Sequence, residues 1–189
     1  MAEAGVRLPI MAQMSMDLNA GQSMLLGSDS ETVVATLSPY DELDVLGLNC
    51  ATGPTELTEH VAYFSRHWPR FISVLPNAGL PMMVDGRSHF PLGPEDFARG
   101  LLRFVEEYQV NIVGGCCGTT PAHLKALIDA LREKGYLPSE ISDLKSQIPD
   151  PKSPIADQSK IRQVVPVHQV SSLTQVQDIR QDLSYLVIA

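Results

Sequence analysis

Four apolar runs constrain this chain more than any other feature: "LPIMAQMSM" (8–16), "LDVLGLN" (43–49), "FISVLP" (71–76) and "VNIVGG" (110–115). They are nearly continuously apolar and rich in Val, Ile and Leu, the pattern of strands covered on both faces, as in a parallel sheet. Stretches of helical period alternate with them. In 52–67, Leu57, Val61 and Phe64 recur on one face, and Pro54 suits a first turn. In 93–109, Phe97, Leu101, Phe104, Val105 and Tyr108 share a face behind acidic Glu95 and Asp96. In 119–135, Thr120 is an N-cap, Pro121 takes the first helical position, Leu124, Leu127, Ile128 and Leu131 form the stripe, and Gly135 is the stop. A weaker helix falls at 30–40. The chain therefore reads as four β-α units between residues 8 and 135. Such units build either a doubly wound sheet or part of a (β/α)8 barrel, and periodicity does not choose between them.

After Gly135 the pattern stops. Residues 137–160 are polar and carry Pro138, Pro149, Pro151 and Pro154, which reads as a linker or surface segment. A last apolar run, "LSYLVIA" (183–189), is strand-like and suggests a chain cut at the start of a further domain. A net charge of −8 without a Lys/Arg cluster argues against nucleic acid as a partner. No run of ~18 apolar residues predicts a membrane span. The N-terminus lacks the basic and apolar regions of a secretory signal. Three cysteines in 189 residues fit a reducing, cytoplasmic setting better than a disulfide framework.

All three cysteines follow the end of an apolar run, Cys50 after "DVLGLN" and Cys116–Cys117 after "VNIVGG". In parallel α/β folds, sites are built at the carboxyl ends of strands. Three thiolates suit zinc, and a fourth position left open suits catalysis rather than structure. Gly114, Gly115 and Gly118 permit unusual backbone angles, so two successive side chains could turn toward one ion. Taken alone, Cys50 reads as packing. The vicinal pair lacks the spacing of a redox C-x-x-C motif. His60, His67, His89, His123 and His168 read as surface or packing residues. Asn49 and Asn77 sit on the same rim, either orienting ligands or substrate or serving as ordinary turn residues. Asp85, Arg87 and His89 belong to a solvated rim loop.

"GLNCATGP", "PNAGLP" and "GGCCGTTPAH" together resemble the homocysteine S-methyltransferase family, and within it the homocysteine-binding domain of cobalamin-dependent methionine synthases. The resemblance covers roughly 8–135. It implies a (β/α)8 barrel of which this chain holds the second half (1–137), with 138–189 as linker and start of a folate-binding domain. It implies that Cys50, Cys116 and Cys117 ligate zinc, which activates the homocysteine thiol as acceptor of a methyl group from methylcobalamin, ultimately from methyltetrahydrofolate. Cobalamin and folate would act through domains not present here. A barrel takes ~250 residues, so the first half should come from elsewhere, and the chain alone should be inactive. Two alternatives stay open at this point: a cobalamin-independent homocysteine methyltransferase, and a non-catalytic zinc or thiol half-barrel that needs a partner.

Overall fold

In a computed structural model, the structure describes residues 8–17, 23–24, 29–137, 169–171 and 176–178. The strands and helices in chain order are β1 (Met11–Met14), β2 (Met16–Asp17), β3 (Ser23–Met24), α1 (Ser30–Leu37), β4 (Val45–Asn49), α2 (Thr58–His67), β5 (Phe71–Leu75), β6 (Met82–Val84), β7 (Arg87–His89), α3 (Pro94–Tyr108), β8 (Ile112–Val113), α4 (Pro121–Glu133), β9 (Gln169–Ser171) and β10 (Val176–Asp178). β1, β4, β5 and β8 form one sheet in that order, and every pairing is parallel. This is the four-unit α/β layout expected from the apolar runs. No helix among the described residues is long and apolar enough to cross a membrane.

One face of the sheet makes the core. Leu46, Leu48, Ile72 and Val74 pack with Val34 of α1, Val61 and Phe64 of α2, Phe97, Leu101 and Phe104 of α3, and Leu127 and Leu131 of α4. Phe64, Trp68 and Phe97 are fully buried, and each such side chain contributes roughly 1.5–3 kcal/mol through burial. The opposite face meets the expectation of strands covered on both sides only in part: Val45 and Ser73 on it are buried. Met11, Phe71 and Ile112 alternate with the core-facing residues and are each more than a third exposed. Gln13, Gly47 and Ser73 fall in one row across this face. The Gln13 amide crosses over Gly47 to donate to Ser73 Oγ at 2.8 Å, and a side chain at Gly47 would collide with it.

Local signals mostly hold, with physical reasons where they do not. Asp29 caps α1, its Oδ1 accepting from Thr32 N at 2.8 Å. Pro121 opens α4 as expected, and Pro94 opens α3 in the same way. Pro54 does not open α2, which starts at Thr58. The turn before it is held by Thr58 donating from its hydroxyl to Thr55 O, while Pro54 lies where a side chain on Gly100 would strike it. The run at 110–115 yields only a two-residue edge strand, beyond which Gly114 N still donates to Val74 O at 3.3 Å. The loop at 80–90 contains an exposed β6–β7 hairpin. The tail expected to be irregular includes the antiparallel β9–β10 pair. Most of the linker, the run at 183–189 and His168 lie outside the described residues.

Candidate metal centre

Cys50 follows β4 directly, and its backbone N–H continues the ladder by donating to Leu75 O at 3.0 Å. Cys50 and Ala51 then adopt left-handed angles, φ 61° and 62°. Two consecutive non-glycine residues in that region are uncommon, and they reverse the chain so that Thr52 N donates back to Cys50 O at 2.7 Å. Across β5, the Cys116 N–H donates to Pro76 O at 2.8 Å. Its carbonyl accepts from Thr119 through both the backbone N–H and the hydroxyl. The end of β5 is thus flanked by one cysteine loop on each side.

The three sulfurs meet there. Cys50 Sγ lies 3.5 Å from Cys117 Sγ, and Cys116 Sγ lies 3.9 Å from Cys117 Sγ. All three lie within 4.8 Å of one another and could hold a metal ion. Zinc–sulfur bonds of ~2.3 Å at tetrahedral angles separate sulfurs by ~3.8 Å, so the donors fit that ion. All three are free thiols; Cys117 is exposed and the other two are half-buried. Burial raises the Cys50 thiol, but the Ala51 backbone N–H and the thiols of Cys117 and Cys116 outweigh it, leaving Cys50 below its ordinary value. Cys117 is pushed up to about 11, first through its contact with Cys50, then with Cys116. The first thiolate holds off the next, and a cation would remove that penalty.

Asn77 joins the two loops. It is almost fully buried, its backbone N–H donates to Thr52 O at 2.9 Å, and its Oδ1 accepts from Cys117 N at 3.1 Å. Ala78 N then donates to Cys117 O at 2.9 Å. Asn49 sits one residue before Cys50, half-buried and opposite Leu75. Of Gly114, Gly115 and Gly118, only Gly118 uses a positive φ, 75°, and a side chain there would enter the Phe90 ring. Gly114 and Gly115 instead permit close approach of Leu75 and Thr119. Asp85, Arg87 and His89 lie in the exposed β6–β7 hairpin.

His123 supports the centre in a way the sequence reading did not resolve. Its Nδ1 accepts from Thr120 N at 3.2 Å, and its Nε2 lies 2.8 Å from Leu92 O. Those partners fix the neutral tautomer protonated on Nε2. The ring also meets Phe97 edge-on. It therefore clamps the start of α4, just past the cysteine pair, to the loop that leaves the hairpin. The T-x-x-H spacing is that of a capping box with His in the usual Glu place, a signal readable from sequence. His60, by contrast, is a buried packing residue whose Nδ1 lies 2.7 Å from Ser30 Oγ.

The family model for homocysteine S-methyltransferases matches residues 1–131. The chain belongs to the homocysteine S-methyltransferase family. Its curated relatives in that family include the methionine synthase of Mycobacterium tuberculosis, 39% identical over 79% of this chain. That of Mycobacterium leprae is 36% identical over 82% of it. The chain spans only 13% of the length of either relative. Among solved structures, the homocysteine methyltransferase MmuM of Escherichia coli, apo form, aligns with a TM-score of 0.47 and 25% identity. That alignment covers 64% of this chain and 39% of the other.

Proposed function

We propose that this chain is the zinc-bearing second half of a homocysteine-activating barrel, in an enzyme that methylates homocysteine to methionine. The observation that carries the reading is the convergence of Cys50, Cys116 and Cys117 within 4.8 Å, in a chain of this family. Cys50, Cys116 and Cys117 would hold the zinc, which supplies Lewis acidity that keeps an incoming thiol deprotonated at neutral pH. Asn77 sets the direction of the Cys117 backbone, and with it the third sulfur. Asn49, beside Cys50 on the same rim, is placed to orient ligands or substrate. No side chain of this chain is needed as a covalent nucleophile. Methylcobalamin is the donor implied by the resemblance, with methyltetrahydrofolate behind it, both acting through domains that lie outside residues 1–137. The residues from 138 onward would lead toward the folate domain. Free thiols of this kind call for a reducing, cytoplasmic setting.

The missing first half of the barrel is the partner this reading requires. Two features of the structure favour it. On the face away from the core, Met11, Phe71 and Ile112 are each more than a third exposed. At the β8 edge, a groove of about 510 Å³ runs between Val110, Ile112 and Val113 and the α4 residues Leu124, Leu127 and Ile128. Such an edge invites a further strand. Elemental analysis of the reduced, purified chain tests the centre: about one zinc per chain is expected, and none in Cys116→Ser/Cys117→Ser. A folded chain that takes up no zinc refutes the reading. Turnover is expected only after the first half and the donor domains are added.

A further inference from the structure

We propose that the Cys50–Cys116–Cys117 triangle is also a receptor for trivalent arsenic, taken up as arsenous acid, and that its occupation closes the centre to substrate thiols. The proposal rests on the trithiol part of the reading above and not on its methyl-transfer part. Zinc needs four donors, and the cluster found among the described residues offers three. Arsenic(III) carries a lone pair in the fourth place and is complete with three sulfurs. Thiolates are soft donors and select soft centres. The triangle is also reachable, because all three thiols are free and Cys117 is exposed.

Preorganisation makes the triangle more than a cysteine pair. Two adjacent cysteines can offer arsenic only two bonds, and the third must come from elsewhere in the chain. Here Cys50 is brought to Cys117 at 3.5 Å by loops hydrogen-bonded on opposite sides of the β5 end, through Leu75 O and Pro76 O. The third bond therefore forms without gathering a distant segment. The step balances without any redox partner. Arsenous acid, As(OH)3, exchanges three As–O bonds for three As–S bonds. Each thiol proton leaves with a hydroxide as water, arsenic stays in its +3 state, and three waters are released. A centre filled in this way has no open position for an incoming thiol.

The full chain, stripped of metal and kept reduced by a phosphine rather than a dithiol, is titrated with arsenite. Native mass spectrometry gives the stoichiometry, and a disulfide reagent counts the thiols that remain reactive. One arsenic per chain with all three thiols masked is expected. Cys50→Ser should weaken binding on the order of 10²-fold, the scale on which a further tethered contact acts. Masking of only two thiols, equal affinity in wild type and Cys50→Ser, or no uptake overturns the proposal. If Cys50→Ser does not fold, the wild-type thiol count alone decides. A parallel zinc titration separates the two readings: zinc uptake without arsenic sinks this one only, and arsenic uptake without zinc sinks the zinc assignment only.

Discussion

Asn77→Ala is the substitution that best isolates how the centre is held. The side chain makes one bond that matters to the sulfurs, Oδ1 accepting from Cys117 N at 3.1 Å. The backbone bond from Asn77 N to Thr52 O survives truncation to alanine. What is lost is a hydrogen bond to a partly buried N–H, which is left unsatisfied, at about 1–3 kcal/mol. Taking the middle of that range, and about 1.4 kcal/mol per decade, the zinc affinity should fall roughly 30-fold. That lies inside the tenfold to hundredfold range usual for groups that orient metal ligands. Asn77→Asp keeps the acceptor and should lose much less. Both affinities are read by competition against a chromophoric chelator at fixed pH, with thermal unfolding of the metal-free chains alongside to separate site from fold. Zinc affinity of Asn77→Ala within about twofold of wild type would refute the argument. So would an equal loss in Asn77→Asp.

Three further outcomes follow from the same geometry. Gly118→Ala combines a φ of 75° with a collision on Phe90, whereas Gly86→Ala has a φ of 72° and open space. Urea unfolding should show Gly118→Ala losing clearly more than the roughly 1–2 kcal/mol expected of left-handed strain alone, and Gly86→Ala only that. His60 is depressed by burial, against the opposing pull of Glu59 and Asp29. It is therefore neutral in the fold, while the unfolded chain binds the extra proton below its ordinary value of 6.5. Stability should decline as pH falls below that value, and His60→Gln should flatten the decline in denaturant midpoints measured across it. Zinc uptake must displace thiol protons, one of them from Cys117 at about 11. Affinity should rise with pH through the neutral range, and a pH-independent affinity would contradict ligation by all three thiols.

The parts of this structure that could be read from sequence are those fixed by short-range periodicity or by a dense motif. Continuous apolar runs gave β4 and β5, and the stripe Phe97–Leu101–Phe104 gave the buried face of α3; of the α4 stripe Leu127 and Leu131 are buried, while Leu124 and Ile128 stay more than a third exposed. The cysteines were legible because strand ends in parallel folds share a rim, whatever the number of strands. The β6–β7 hairpin was not, since Met82, Met83 and Val84 are exposed and lack the alternation that marks a half-buried strand. Gly114 and Gly115 were assigned the right place and the wrong reason. Their value lies in what sits against them, Leu75 and Thr119, and such contacts are made by the fold rather than announced by the residue. His123 could have been found from Thr120 three residues earlier. Its second contact, with Leu92 O across 31 positions, could not.

The distribution of bonds around the sulfurs separates two requirements that a barrel normally joins. Cys50 N is held by Leu75 O, Cys116 N by Pro76 O, and Cys117 N by Asn77 Oδ1. All three acceptors come from consecutive residues at the carboxyl end of β5. The thiol triangle thus depends on one strand end and its two neighbours, not on closure of the sheet into a ring. Phe71, at the start of β5, and Ile112, in β8, lie elsewhere on the sheet and are each more than a third exposed. Metal capture and solubility should therefore respond to different perturbations. Replacing Phe71 with a polar residue should reduce self-association in light scattering while leaving zinc uptake unchanged, whereas truncating Asn77 should do the reverse. If the Phe71 variant lost its zinc, the centre would depend on that distant part of the sheet after all, and the local account of how these three cysteines are gathered would be wrong.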